Sequence, residues 1–464
     1  MRHLLLSALA GALLCGPAAA APRFVDDPYP STYRPIAAPP VVIRHATVLT
    51  GTGQRLDDTD VLLVEGRVQA VGRQLVAPAN AVTVQAQGKW VTPGLIDIHS
   101  HLGVYPSPGV KAHSDGNEMT APVTPNVWAE HSVWPQDPGF VTALAGGITT
   151  LQVLPGSANL IGGRGVTLKN VPATTYQAMK FPGAPWGLKM ACGENPKRVY
   201  GEKGGPATRM GNVAGYRAAF IDAAEYLQKN APKPEKRKRW WNRSGDQDSG
   251  GDSGGKRDLK LDTLAGAING DIRVHIHCYR ADEMATMLDL AREFGFHVTA
   301  FHHAVEAYKL ADRLAAENVC SAMWADWWGF KMEAFDGIQE NIALVDRPAD
   351  SCAIVHSDSE EGIQRLNQEA AKAMASGRRA GLSIAPEHAI VWLTANPAKA
   401  LGVERQTGTL EAGKMGDVVV WSGNPFSSYA LAEQVYIDGA QIYDRHRRAL
   451  QPVSDFMLGQ EVTP

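Results

Sequence analysis

Short apolar runs separated by turn residues dominate both ends of the chain. Near the N-terminus, Val41-Val42-Ile43-Arg44-His45-Ala46-Thr47-Val48-Leu49, Val61-Leu62-Leu63-Val64 before Glu65-Gly66, and Val68-Gln69-Ala70-Val71-Gly72 have strand lengths and strand composition. They predict a small antiparallel β module. The same texture returns in Asp417-Val418-Val419-Val420-Trp421 and Val435-Tyr436-Ile437-Asp438-Gly439. Two β-rich ends, residues 41–90 and 404–445, therefore predict one composite β-sandwich.

Between them, over residues 91–403, short apolar strands alternate with helical stretches, the rhythm of a parallel β/α architecture. Ile148-Thr149-Thr150-Leu151-Gln152-Val153-Leu154, Trp186-Gly187-Leu188-Lys189-Met190-Ala191-Cys192 and Ile272-Arg273-Val274-His275-Ile276-His277 read as strands. Phe296-His297-Val298-Thr299-Ala300-Phe301-His302-His303 and Ala353-Ile354-Val355-His356-Ser357-Asp358 repeat the design, and each precedes a helical stretch. Polar residues gather where strand gives way to helix. The fold class predicted is α/β, a (β/α)8 TIM barrel with the sandwich appended. Residues 22–40 read as an extended leader, and residues 232–260 as a flexible insertion. Its basic run Lys236-Arg237-Lys238-Arg239 beside Trp240-Trp241 could meet an anion, a membrane surface or an envelope partner, but the Gly/Ser/Asp-rich tract that follows favours a solvated loop.

Length and charge narrow the partners. A chain of 464 residues accommodates one large barrel plus a module. Its 20% of charged residues and formal net charge of -3 give nucleic acid no electrostatic footing. Met1-Arg2-His3, the apolar residues 4–14 and Ala18-Ala19-Ala20-Ala21 read as a cleaved signal peptide over residues 1–21, so the expected location is periplasmic or secreted. No other run approaches the roughly 20 apolar residues of a membrane span. Cys192, Cys278, Cys320 and Cys352 are spread too widely for a disulfide scaffold. One pair could bridge, but small buried apolar residues are the preferred reading.

Candidate chemistry begins at Val91-Thr92-Pro93-Gly94-Leu95-Ile96-Asp97-Ile98-His99-Ser100-His101. On a strand, residues two apart share a face, so the imidazoles of His99 and His101 point together. A lone histidine is more often a satisfied core residue; two on one face beside Asp97 read as ligands. The other strand ends add Lys189 or Glu194, His277, His303 and Asp358. If the barrel closes, these residues meet on the face where barrel sites lie. Imidazoles and carboxylates without a thiol cluster suit zinc or another borderline divalent metal.

The Pro93–His101 stretch resembles the signature of the amidohydrolase superfamily, metal-dependent hydrolases on a distorted (β/α)8 barrel. Pro155-Gly156-Ser157-Ala158-Asn159 with Gly162-Gly163, and Gly193-Glu194-Asn195-Pro196-Lys197, are similar to its imidazolonepropionase-like and prolidase-like members. The resemblance implies one or two divalent ions, zinc foremost, with His99, His101 and Asp358 on one and His277 and His303 on a second. It also implies a bridging ligand, either carbamylated Lys189 or Glu194. In His275-Ile276-His277 and His302-His303 the family spacing selects the second histidine, leaving His275 as a lower-layer or hydrogen-bonding residue and His302 pointing away from the site. Asp358 becomes the general acid/base for a metal-activated water, and Arg280 a candidate for a substrate carboxylate. The expected reaction is hydrolysis of an amide or peptide C–N bond in a small molecule or short peptide. A cyclic amidase or deaminase is the alternative on the same fold, and a secreted binding protein without catalysis the alternative outside it. The sequence leaves oligomeric state open, a homo-oligomer included.

Overall fold

The computed structural model describes residues 27–230, 257–327 and 329–451. The expected signal peptide and most of the expected insertion, residues 232–256, lie outside the described residues. The insertion's last residues are already structured: helix Leu259–Ile268 begins there, capped by Asp258, whose carboxylate accepts from the amides of Lys260 and Leu261 at 2.8 and 3.2 Å.

Two eight-stranded sheets organise the chain. The first takes β1 (Val41–Leu49), β2 (Arg55–Val64), β3 (Arg67–Gly72), β4 (Val82–Gln85) and β5 (Trp90–Pro93) from one end of the chain. The barrel sheet follows, made of β6 (Leu95–Ser100), β7 (Ile148–Val153), β8 (Ile161–Lys169), β9 (Gly187–Ala191), β10 (Arg273–Cys278), β11 (Val298–His303), β12 (Cys320–Met323) and β13 (Ala353–Val355). The chain then returns to the first sheet with β14 (Val418–Trp421), β15 (Ala432–Ile437) and β16 (Ala440–Asp444). β1 is the branch point of the first sheet. Its first half pairs with β4 and its last residues with β5, so the strands wrap around a core drawn from both chain ends, including Ile43, Val61, Val91, Val418, Val420 and Tyr436.

β14 explains how sandwich and barrel are joined. Val418 and Val420 enter the sandwich core, while Val419 and Trp421 enter the barrel-side core. A strand buried on both faces reads as a continuous apolar run, which is why Val418-Val419-Val420-Trp421 lacks the alternation of a half-exposed strand. The Trp421 indole N–H donates to Thr92 Oγ1 at 2.9 Å across the same joint.

The barrel departs from all-parallel order at its third strand. β8 runs antiparallel to both β7 and β9, and the link from β7 to β8 contains no helix. A seven-residue connection reverses the chain directly, and Gly163 and Gly165 let neighbouring chain approach closely: a Cβ on Gly163 would meet the Val127 carbonyl oxygen at 2.3 Å. Helices such as Ala281–Phe294 and Leu366–Arg379 cover the barrel with one apolar face each.

The first and last barrel strands meet through side chains. The fully buried carboxylate of Asp97 on β6 accepts from the Ser357 amide at 3.3 Å and from the Ser357 hydroxyl, just beyond β13. The Asp358 amide donates to the His99 carbonyl at 3.0 Å. These bonds close the ring between strands that the chain separates by 260 positions.

All four described cysteines are paired, against the expectation of small free core residues. Cys192–Cys278 and Cys320–Cys352 have Cα separations of 5.2 and 4.5 Å. In each case adjacent barrel strands bring the partners together, a proximity created by the sheet order and absent from sequence spacing.

A closed charge cluster seals the opposite end of the barrel. Lys169 Nζ lies 2.8 Å from Asp417 Oδ1 and 3.0 Å from Asp438 Oδ2, all three side chains being buried. Asp417 also accepts from Thr407 Oγ1 at 2.8 Å, and Asp438 from the Tyr33 hydroxyl at 2.5 Å, which docks the leader onto the sheet joint. Lys169→Met strands two buried carboxylates and is expected to destabilise the fold by about 3–5 kcal/mol. Urea denaturation of the variant against the wild type measures it, and a loss below about 1 kcal/mol would refute the assignment.

Candidate metal centre

The barrel exits bring most of the expected ligands to one place. The His101 Nδ1–H donates to the Leu154 carbonyl at 2.8 Å, which turns its Nε2 toward the barrel axis. That nitrogen lies 3.1 Å from Asp358 Oδ1, and His99 Nε2 lies 3.2 Å from the same oxygen. One donor atom from each of His99, His101 and Asp358 falls within 4.8 Å of the others. A second such group is His99, His303 and His356. His303 Nδ1 is 3.9 Å from Asp358 Oδ2, and the His277 and His303 rings are 4.5 Å apart.

Backbone conformation helps to aim these groups. His303, Ala304 and Asp358 occupy the left-handed region with φ of 70°, 40° and 55°. Non-glycine residues rarely stay there unless the surroundings over-determine them, and such residues cluster at functional sites.

Electrostatics keep the site ready for a cation. Burial first, and then the charge of Lys189, hold His99 and His277 well below the ordinary imidazole range; burial and then His277 do the same for His303. Neutral imidazoles retain the lone pair that ligation needs. Burial alone would raise the Asp358 carboxyl, but the His101 hydrogen bond and the charges of His101, His356 and Lys189 hold it below its usual range. The buried atoms His277 Nδ1, His303 Nδ1 and His356 Nδ1 have no hydrogen-bond partner among the described residues. Orphaned nitrogens around a carboxylate fit a divalent ion in both donor type and protonation.

Lys189 and Glu194 part company. Lys189 is fully buried, with Nζ 3.1 Å from His99 Nε2, and burial pushes its ammonium down to about 7 against the opposing pull of Asp358. Glu194 opens the helix Glu194–Tyr200, one-third exposed, and faces Lys331 Nζ at 3.5 Å. Lys189 is the one that reaches the cluster. Arg280 does not: its guanidinium is bidentate to Asp282 at 2.9 and 2.9 Å on the exposed rim, a local pair two residues apart.

His302 corrects an expectation. It points into the barrel, fully buried, with Nδ1 2.9 Å from His99 Nδ1 and Nε2 2.9 Å from His275 Nδ1. With both ring nitrogens committed it has none left for a metal, and the chain of three imidazoles fixes their tautomers. For His99 Nε2 to keep a free lone pair, His99 Nδ1–H must donate to His302, and His302 Nε2–H to His275. His275 Nε2 then carries the last proton. It has no described partner, nor has the buried Gln152 Oε1, and both side chains close on Gly187, where a Cβ would meet Gln152 Nε2 at 2.7 Å and His275 Cδ2 at 2.9 Å.

Sequence reasoning did not place His356, Asn195, Tyr279 and Trp324 at the site. His356 accepts from the His303 amide at 3.1 Å. The spacing of two that picked out His99 and His101 also holds for His356 and Asp358, and would have found it. Asn195 Nδ2 is 3.3 Å from His277 Nε2, and the rings of Tyr279 and Trp324 stack on His303 at 5.4 and 4.3 Å. Tyr279 shares the spacing of two with His277 and is set aside only because the strand is expected to turn there; for Trp324 the sequence carries no signal. The loop after β6 borders a cavity of about 380 Å³ whose wall includes Asp115, Asn117 and Glu118.

Residues 261–444 match the profile described as the Amidohydrolase family. The chain is 32% identical to amidohydrolase tasK of Hapsidospora irregularis over 87% of its own length and 43% of that protein, so it spans less than half of that curated relative. Among solved structures, an amidohydrolase from Thermotoga maritima MSB8 is 35% identical, with 87% of this chain and 100% of that chain covered and a TM-score of 0.75. A prolidase solved with N-methylphosphonate-L-proline shares the fold at 15% identity, covering 88% of this chain and 100% of that one with a TM-score of 0.53.

The imidazole chain is testable apart from turnover. His302→Leu removes the acceptor for His99 Nδ1–H and is expected to weaken divalent metal binding about 10- to 100-fold in competition with a chromophoric chelator. His302→Gln, whose amide accepts on one side and donates on the other, is expected to keep most of that affinity. Equal losses in the two variants would count against the relay.

Proposed function

The chain belongs to the amidohydrolase superfamily, and from that premise we propose that it is a metal-dependent hydrolase cleaving an amide or peptide C–N bond of a small substrate. The observation that carries the proposal is the convergence of His99 Nε2 and His101 Nε2 on Asp358 Oδ1 at 3.2 and 3.1 Å. In this reading His99, His101 and Asp358 hold one divalent ion, zinc foremost. His277 and His303 would hold a second, and Lys189, carbamylated by carbon dioxide, would supply a shared carboxylate ligand. The depressed ammonium of Lys189 supports that last role, because a neutral amine has the lone pair that carbamylation requires. When bound, the metal would polarise the substrate carbonyl and acidify a water.

The protein's own groups do the rest. Asp358 is held ionised by the His101 bond and by its positive neighbours, so it is fit to take a proton from water and return it to the leaving nitrogen. Its backbone bond to His99 keeps the acceptor in register with both imidazoles. Tyr279 and Trp324, buried against His303, exclude water from that side of the site.

No described helix is long and apolar enough to cross a membrane. Two disulfides support export to an oxidising compartment, the periplasm or beyond it, in keeping with the signal-like N-terminus.

Elemental analysis of the purified protein is expected to give one to two divalent ions per chain, and His99→Ala to lose metal and activity together. Asp358→Asn is expected to lower kcat by about 10²- to 10⁴-fold on whichever substrate is turned over in a panel of dipeptides, cyclic imides and aminopurines. Hydrolysis confined to the cyclic imides or aminopurines would replace the amidase reading with the cyclic amidase or deaminase one. Full metal retention in His99→Ala would remove the proposal.

A further inference from the structure

Lys331 lies beside the histidine face with no carboxylate oxygen of the described residues closer than 3.5 Å. Its Nζ is 3.4 Å from Asn195 Oδ1, 3.5 Å from Glu194 Oε1 and 3.9 Å from Glu333 Oε2. Charge-assisted bonds to carboxylates close to about 2.7–2.9 Å. Other lysines of this chain achieve that: Lys89, Lys309 and Lys414 have carboxylate oxygens at 2.6, 2.7 and 2.8 Å. An ammonium carries three donors, and those of Lys331 are used only at the margin.

The neighbouring charges leave it available. Glu333 is paired with Arg209, which also holds Glu283 at 3.0 Å. Glu194 is one-third exposed, so water screens its 3.5 Å pairing, whereas the Lys331 side chain is only 17% exposed. The ammonium lies 4.1 Å from the centroid of the Tyr279 ring, which fixes it over an aromatic face. That ring in turn stacks on His303. One side chain spans the gap to the reaction face: Asn195 meets His277 Nε2 through its Nδ2 and Lys331 through its Oδ1. Trp327 and Phe330, 40% and 57% exposed, add an apolar edge to the same rim.

We propose that Lys331 is the anion subsite of the pocket and binds a carboxylate on the substrate close to the scissile bond. The substrate class is then an N-acyl amino acid or a short peptide with a free C-terminus. The subsite takes the part that Arg280, committed to Asp282, leaves unfilled. It rests on the reading above that substrate is cleaved at the histidine face.

The probe is 4-oxopentanoate, which matches N-acetylglycine with a methylene in place of the scissile nitrogen and cannot be hydrolysed there. Its neutral dimethylamide is the control. Titration calorimetry on the zinc-loaded protein is expected to show the acid binding at least about tenfold more tightly than the amide, the effect of one charged hydrogen bond. Lys331→Met should abolish that preference while leaving the amide's affinity in place, which also reports that the variant is folded; Lys331→Arg should retain it. Equal affinities in the wild type, no measurable binding of the acid, or a preference that survives Lys331→Met would each overturn the assignment. An acid preference lost in Lys331→Met, in an enzyme that hydrolyses no dipeptide, would uphold the subsite and fail the hydrolytic reading instead.

Discussion

The closure of the barrel between β6 and β13 is the constraint on which the site depends. His99 and His101 leave one strand and Asp358 follows the other, so no metal-binding geometry exists until these two strands meet. A buried carboxylate, Asp97, makes that junction by accepting from the Ser357 amide and hydroxyl and from the His99 amide. Burial pushes its acid up to about 7 in spite of these donors, with Asp358 adding to the rise. Among the described residues, the junction therefore relies on neutral donors, the Ser357 amide and hydroxyl and the His99 amide.

The two ends of the barrel handle buried charge in opposite ways. Around Lys169, carboxylates, ammonium, hydroxyls and amides satisfy one another, leaving little for a ligand to gain. Around Asp358, three imidazole nitrogens remain without a partner among the described residues. Unpaired polar atoms in a fully buried place are costly unless something else completes them. The contrast agrees with the division of labour in barrels, where the strands' C-terminal ends carry chemistry and the other end carries stability.

Much of this was legible in the chain. The two β-rich ends, the alternation between them and the histidine pair at 99 and 101 follow from patterns of two and of apolar runs, which are local. What escaped was set by long-range geometry. Spacing cannot tell which of His302 and His303 faces the axis, because the backbone turns into the left-handed region at His303 and both rings end up inside. The reversal of β8 is hidden because an antiparallel strand buried on both faces reads like a parallel one. Cysteine pairing depends on which strands lie side by side. Arg280 looked suited to a substrate carboxylate until Asp282, two positions on, proved to be the nearer acid.

The placement of the two disulfides bears on how the barrel comes apart. Cys192–Cys278 ties β9 to β10 and Cys320–Cys352 ties β12 to β13, while β10 and β11 share the His275–His302 bond. The arc from β9 to β13 is thus fastened at three of its four joints, and the arc from β6 to β8 has no covalent fastening among the described residues. Partial opening is then expected to start in the unfastened arc, with its amides exchanging sooner than those of its neighbours. His99 and His101 belong to that arc and Asp358 to the other, so an ion held by these three side chains would act as the missing fastener, and its release would be coupled to the first opening of the barrel.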